Sequence, residues 1–322
     1  MEAALGDEQR GEDPTTKKLE EAMARKLNKS SAMFFPSATM CNQIAANIFS
    51  KAGGEVLGAE EGHMFNSEAG ALSFHSRVQP RAIKTQNGIF GAEDMKQAMR
   101  FVSGAHTPRP SLVLVENTTN AGGGCAWPLD ALDAVIAQAK SWDLKCHLDG
   151  SRLFNAAAAV NSDVARLAQG FDSVTICFSK GLSCGAGAIL AFDSIPREEV
   201  RRLKQVFGGA LRQSGMLAAA CLYALEHHVQ DLAHDHRRAQ VFAAGLSHLA
   251  GVTVENPKPA TNIVFFSLDT KKCHPEPFIE ACLKRNLRFS RFNTNRFRAV
   301  THREISDQNI DDAIKIIGEI LK

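Results

Sequence analysis

The chain has 322 residues, and at about 150 residues per domain this length suggests two domains, with core enough to need no disulfide or metal staple. Hydrophobic residues make up 44% and charged residues 22%, and 37 Lys+Arg against 35 Asp+Glu leave a net charge of +2. That balance speaks against a nucleic-acid or membrane-surface protein driven by bulk charge, and no apolar run reaches the roughly 18 residues of a membrane span.

The N-terminus, MEAALGDEQRGEDPTTKK, is acidic and lacks the apolar stretch of a secretory signal. Eight cysteines without a C-x-x-C pair read as free thiols of a reducing cytoplasm, and no metal site is read. Residues 1–15 read as an irregular polar arm. GEDPTTKKLEEAMARKL then starts a helix, with Thr15 or Thr16 as its cap and Leu19, Ala22 and Met23 on one face. SAMFFPS reads as a strand, TMCNQIAANIFSKAGG as a helix stopped by Gly53 and Gly54, GEVLGAE as a strand and EAGALSFHS as a short helix. SLVLVENTT is a branched β-run, Pro128 opens the helix LDALDAVIAQAKSWD, and KCHLDGS, FDSVTICFSK and GAGAILAF read as strands. One long helix is expected from RQSGMLAA onward, ending at Gly251, followed by a strand–helix–strand–helix tail. This alternation predicts an α/β fold: a large domain with a mostly parallel sheet and a smaller C-terminal α+β domain. The expected division is residues 1–15, 16–215 and 216–322.

Three short segments carry chemistry. Ser37, Ala38 and Thr39 follow a strand end and open a helix, where backbone N–H groups and a hydroxyl make an anion site. Asp149 closes the apolar run KCHLDG, at the C-terminal tip of a predicted parallel strand, where α/β sheets bind ligands. Lys180 directly follows the strand FDSVTICFS, poorly placed for a solvated charge and well placed for an amine nucleophile. One helix-and-strand unit separates Asp149 from Lys180, so both project from one edge of the sheet. An aspartate for a pyridinium nitrogen, a lysine for a Schiff base and a helix N-terminus for a phosphate together describe a pyridoxal 5'-phosphate site.

With GDEQRGEDPT, FFPSATMCNQ, GHMFNSEAGA, ENTTNAGGG, HLDGSRLFNAAAA, FDSVTICFSKGL, GGALRQSG and FRAVTH in order over nearly the whole chain, the sequence resembles the L-threonine aldolase family. These are pyridoxal-phosphate enzymes of fold type I, in the β-eliminating lyase group. The resemblance implies a lyase that reversibly cleaves an L-β-hydroxy-α-amino acid to glycine and an aldehyde. It implies Lys180 as the Schiff-base lysine, Asp149 on the pyridine nitrogen, Ser37, Ala38 and Thr39 on the phosphate, and His63 over the ring. Arg152 and Arg298 would hold the substrate carboxylate, Glu116 and Asn117 would line the pocket, and Arg212 would reach a neighbouring subunit's site in a homodimer or homotetramer. His63, or a water it orients, is the expected general base.

The departures matter as much. Thr119 stands where the family has a histidine, which removes one base; the smaller side chain is expected to leave room for a bulky, aryl substituent. Arg10 stands where the family has a tyrosine and would favour a second substrate carboxylate, a rival expectation. Gln205 replaces a phosphate-contacting lysine, with Lys204 beside it as the expected substitute. The family pattern carries a Ser-Asp-Thr segment ahead of this chain's first residue, so weakened activity of the chain as given is a further expectation. A β-eliminating lyase or dehydratase, or a non-catalytic relative, are the alternatives.

Overall fold

Asp13, and neither Thr15 nor Thr16, caps the first helix, α1 (Pro14–Lys26). Its Oδ1 accepts from Thr16 N at 2.9 Å and its Oδ2 from Gly6 N and Gly215 N, both at 3.1 Å. Pro14 has no N–H to lose and fits the first helical position, so the cap falls one residue before it. The computed structural model describes residues 3–101, 104–271 and 273–322. The arm before α1 is irregular, as its polarity predicts, but it is anchored. Glu8 pairs with Lys204, Glu8 N donates to Arg212 O at 2.7 Å, and Arg212 Nη1 meets Asp7 Oδ2 at 2.9 Å. Lys204 is buried against the rings of Phe34 and Phe35. That enclosed pairing with Glu8 commits its charge to the arm.

Seven strands make the main sheet: β1 (Ser31–Phe35), β2 (Glu55–Ala59), β3 (Gln79–Ile83), β4 (Pro110–Glu116), β5 (Lys145–Gly150), β6 (Ser173–Cys177) and β7 (Ala188–Phe192). Their order is β1-β7-β6-β5-β4-β2-β3. β7 is antiparallel to β1 and β6, and the other pairings are parallel. The reason is the link from β6 to β7, which holds no helix and is too short for a crossover. Helices α2 (Ala38–Phe49), α3 (His63–Asn66), α4 (Ala92–Ala98), α5 (Leu129–Ser141), α6 (Leu153–Ala159), α7 (Val164–Ala168), α8 (Arg197–Val206) and α9 (Gly215–His227) accompany the sheet. The central strands β5 and β6 are buried along nearly their whole length, as a sheet covered on both faces requires. The helix expected in EAGALSFHS is a single π turn at Leu72–Ser76, and α3 lies before it.

The long helix breaks. α9 ends at His227, a 3-10 turn follows at Val229–Asp231, and α10 (Leu232–Ser247) begins a new direction. Neither Gly nor Pro stands at the break. His228 is pulled inward instead, its Nδ1 donating to Leu182 O at 2.7 Å, so tertiary contact overrides a helical run. Ala218, Cys221 and Ala224 of α9 belong to the large core, whereas Phe242 and Leu246 of α10 belong to the small one. Leu232, at the start of α10, still belongs to the large core and Ala239 to the small one, so the change of core falls within the first turns of α10.

The small domain has strands β8 (Val252–Val254), β9 (Ile263–Leu268), β10 (Ser290–Arg291) and β11 (Arg296–Val300), all antiparallel in the order β10-β11-β9-β8. Helices α11 (Pro275–Lys284) and α12 (Asp307–Ile320) complete it, with Phe266, Phe278 and Phe297 at the centre of its core. It places β11, and with it Arg298, against the C-terminal edge of the main sheet, where Arg298 Nη1 donates to Asn120 Oδ1 at 2.6 Å.

Candidate active site

β4 and β5 are in register with Glu116 opposite Asp149, so both carboxylates emerge at one edge. β6 lies next to β5, and Lys180 follows β6 by three residues. Asp149 is buried. Its Oδ1 accepts from Ser151 N and its Oδ2 from Asn42 Nδ2, each at 3.1 Å. Burial pushes its pKa up, but Lys180, the Ser151 N–H, His63 and His147 draw it down further, and the net result is below the usual aspartate value. A carboxylate has about four acceptor positions, so one more donor can be accommodated. Lys180 is half-buried and lines a cleft of about 420 Å³ together with Arg152, Ser179, Asn262 and His302.

Arg152 precedes α6, and its buried Nε has no hydrogen-bond partner; the same holds for Arg298 Nε. Burial lowers the pKa of Arg152, and the charge of Arg298 lowers it further. Two cations with unsatisfied buried donors suit a carboxylate. Ser37 caps α2, its Oγ accepting from Met40 N at 3.3 Å, and the free N–H groups of Ala38 and Thr39 begin that helix.

His63 opens α3. Its N donates to Glu116 Oε2 at 3.3 Å, and its Nδ1 lies 2.9 Å from Glu68 Oε1. The hydrogen bond to Glu68, aided by the Asp149 charge, holds the His63 pKa above the usual histidine value despite partial burial. Glu116 accepts from Asn120 N at 3.2 Å as well. Burial, together with the Asp149 charge, pushes its pKa up to about 7.

Thr119 does not line the cleft. It is fully buried, its N donates to Cys125 O at 3.0 Å, and its Oγ1 accepts from Cys125 N at 3.1 Å. A Cβ on Gly88 would come within 2.8 Å of its methyl, so the loop already fills the space imagined for an aryl group. Thr119→His is therefore expected to destabilise the fold by about 1–3 kcal/mol through overpacking, seen as a lower urea midpoint, with no gain in turnover. Asn117 is also buried, its Oδ1 accepting from Trp127 N at 3.3 Å, so it shapes the strand end rather than the pocket. Arg10 and Arg212 both reach toward Asp7, the first at 3.9 Å, and both are largely exposed. Neither is among the residues lining the cleft of its own chain.

The sequence reading missed Glu68, Asn42, Gln43 and His147, all buried around Asp149. No local signal marks them; Asn42 and Gln43 sit polar on the inner face of α2, which period alone reads as a flaw in an apolar stripe.

A family model described as Beta-eliminating lyase matches residues 1–270. Low-specificity L-threonine aldolase 1 of Arabidopsis thaliana is 33% identical over 313 residues, 96% of this chain and 87% of that protein. Low specificity L-threonine aldolase of Escherichia coli strain K12 is 33% identical over 267 residues, 82% of this chain and 78% of that one. Among solved structures, Leishmania major threonine aldolase superposes with a TM-score of 0.82 at 20% identity, covering 100% of this chain and 93% of the other.

Proposed function

Because the chain belongs to the β-eliminating lyase family, we propose that it cleaves a β-hydroxy-α-amino acid of the threonine kind, reversibly, to glycine and an aldehyde with pyridoxal phosphate. The observation that carries this reading is the pair Asp149 and Lys180 at adjoining strand ends, with Arg152, its buried Nε unpaired among the described residues, lining the same cleft as Lys180. This donor set fits pyridoxal phosphate: a buried anion with a spare acceptor position, a half-buried amine and a capped helix N-terminus. Lys180 would hold the aldehyde carbon, Asp149 the ring nitrogen, and Ser37 with the N–H groups of Ala38 and Thr39 the phosphate. When bound, the group takes up the electron pair left at Cα when the Cα–Cβ bond breaks.

The rest falls to the chain. Arg152 and Arg298 fix the substrate carboxylate and so orient the bond to be broken. The proton on the β-hydroxyl must leave as that bond breaks, and Thr119 cannot take it. The His63 pKa is held above the usual histidine value and the Glu116 pKa is pushed up to about 7, so these two groups of the site are the ones suited to proton transfer. His63 is the base, and Glu116 steadies it through the contact to its backbone N–H.

Glu116 also makes a pH prediction. Its folded pKa, about 7, lies above the ordinary 4.5. An acid that holds its proton more tightly when folded contributes a stability present at low pH and lost as pH rises from about 4.5 through about 7. In Glu116→Gln the NH2 must face His63 N or Asn120 N, a loss at every pH, but the pH-dependent part is expected to vanish: relative to the unaltered chain, the variant's stability should improve by on the order of 1–3 kcal/mol between pH 4.5 and pH 8. A midpoint lowered equally at both pH values would refute the assignment.

The proposal extends to a homo-oligomer in the cytoplasm. Leu5, Met216 and Tyr223, all exposed, surround a depression of about 580 Å³ that includes Cys184 and Ser183, beside the cleft. The free cysteines suit a reducing compartment, and no described helix is long and apolar enough to cross a membrane. Product analysis with threonine and added pyridoxal phosphate tests the reaction. Glycine plus acetaldehyde supports the aldolase, and a keto acid plus ammonia points to β-elimination instead.

A further inference from the structure

Beneath His63 and Asp149 lies a polar network in which every hydrogen has one direction to go. Burial pushes the pKa of His147 down to about 4, so its ring is neutral at physiological pH. Asn42 Oδ1 can only accept, so His147 Nε2 carries the proton and donates to it at 3.1 Å; Nδ1 then accepts from Ser173 Oγ at 2.7 Å. That fixes the Asn42 amide with its NH2 toward the carboxylates. Asn42 Nδ2 donates to Glu68 Oε1 at 2.9 Å and to Asp149 Oδ2 at 3.1 Å. Gln43 Nε2 donates to Glu68 Oε2 at 2.5 Å. Both Glu68 oxygens are thus acceptors, and the 2.9 Å contact to His63 is completed by Nδ1–H donating to Oε1. One ring nitrogen of His63 and one oxygen each of Glu68 and Asp149 lie within 4.8 Å of one another, bridged by the amide of Asn42.

We propose that Glu68 is the positioning residue of this site. It locks the ring of His63 with Nδ1–H turned toward Glu68 and Nε2 free of that bond, and it shares the Asn42 amide with Asp149. The two groups that would face the cofactor, the histidine and the aspartate, are then set by one buried carboxamide–carboxylate unit. The Glu68 side chain is 0% exposed, so solvent cannot replace it in this role. The inference rests on reading the cleft as the pyridoxal-phosphate site, but the state of the His63 ring is a property of the chain alone. The charged groups facing His63 are Glu68, Asp149, Lys180 and Glu116; the first two favour its protonated form and Lys180 opposes it. Among the described residues, Glu68 alone bonds a ring nitrogen of His63.

The test is an NMR titration of the ¹⁵N-labelled full chain, with and without pyridoxal phosphate, with His63 assigned by the signal lost in His63→Gln. The neutral ring is expected as the Nδ1–H tautomer in the unaltered chain. In Glu68→Gln its pKa is expected to fall by about one unit or more. The acid limb of the kcat profile should move by the same amount. kcat should fall about tenfold or more with KM for threonine little changed, the loss of a positioned acid–base group. Glu68→Asp, which keeps the charge, should restore part of the pKa. An Nε2–H tautomer in the unaltered chain would overturn the proposal without any variant, should Glu68→Gln fail to fold. So would a titration of His63 indifferent to Glu68→Gln. Failure of the cofactor reading shows separately, as no visible absorption band on adding pyridoxal phosphate, while the tautomer stands or falls by itself.

Discussion

Lys180→Ala is expected to leave a folded chain that has lost turnover by roughly 10³-fold or more, the scale seen when a covalent catalyst is removed from an otherwise intact site. The fold should survive because Lys180 is only half-buried and follows β6 rather than forming part of it. What disappears is an amine whose charge bears on Asp149, His63 and Glu116 alike. The purified chain with added pyridoxal phosphate should show a visible absorption band that the variant lacks, and glycine release from threonine should fall in parallel. Without the lysine's charge, the Asp149 carboxyl should titrate higher, because one of the influences holding it low is gone. A Lys180→Ala chain that kept both the band and the turnover would remove this lysine from the chemistry and with it the reading of the cleft.

Lys180 and Asp149 were legible in the sequence for a shared reason. Each stands at the C-terminal end of a buried strand, Asp149 within β5 and Lys180 three residues past β6, the edge at which α/β sheets present ligand-binding groups. Ser37 was legible because a cap has a local signature. Glu68 was not, because its meaning lies in partners from other elements: Asn42 and Gln43 on α2, 26 and 25 residues away, and His63 on α3. Only the packing of α2 over the sheet brings them together. β3 was hidden because Pro80 argues against a strand; it is tolerated because β3 is the outer strand of its sheet. The surroundings of Thr119 are not legible for the opposite reason. A position in a motif does not fix its exposure: the loop from Thr119 to Cys125 closes on itself and packs against Gly88. Residue identity follows sequence; which way a loop side chain faces follows hydrogen bonding and space.

Asp149→Asn is the second large effect, and its size comes from two sources that one pair of experiments separates. The side chain would keep its shape but lose its charge and one acceptor. Asp149 now accepts at both oxygens, from Ser151 N and from Asn42 Nδ2. An amide must turn its NH2 toward one of these two donors, and either choice leaves a buried donor facing a donor, at a cost of about 1–3 kcal/mol. Turning Asn42 over to compensate would break its bonds to His147 and Glu68, so the network cannot relax cheaply. A drop in the urea midpoint is therefore expected even in the chain without cofactor. Activity should fall further than stability explains, by roughly 10²–10³-fold, because a fixed charge opposite a developing one is the largest single contribution such a site makes. The double variant Asp149→Asn with Asn42→Asp puts an acceptor opposite the new NH2. It should recover stability only with Glu68→Gln added, because the new carboxylate would otherwise face Glu68 Oε1 across the present 2.9 Å contact, and activity should stay low, since the charge has moved away from the strand tip. Recovery of both together would mean that Asp149 serves only the network, and a midpoint unmoved by Asp149→Asn alone would mean that the network is not what holds it.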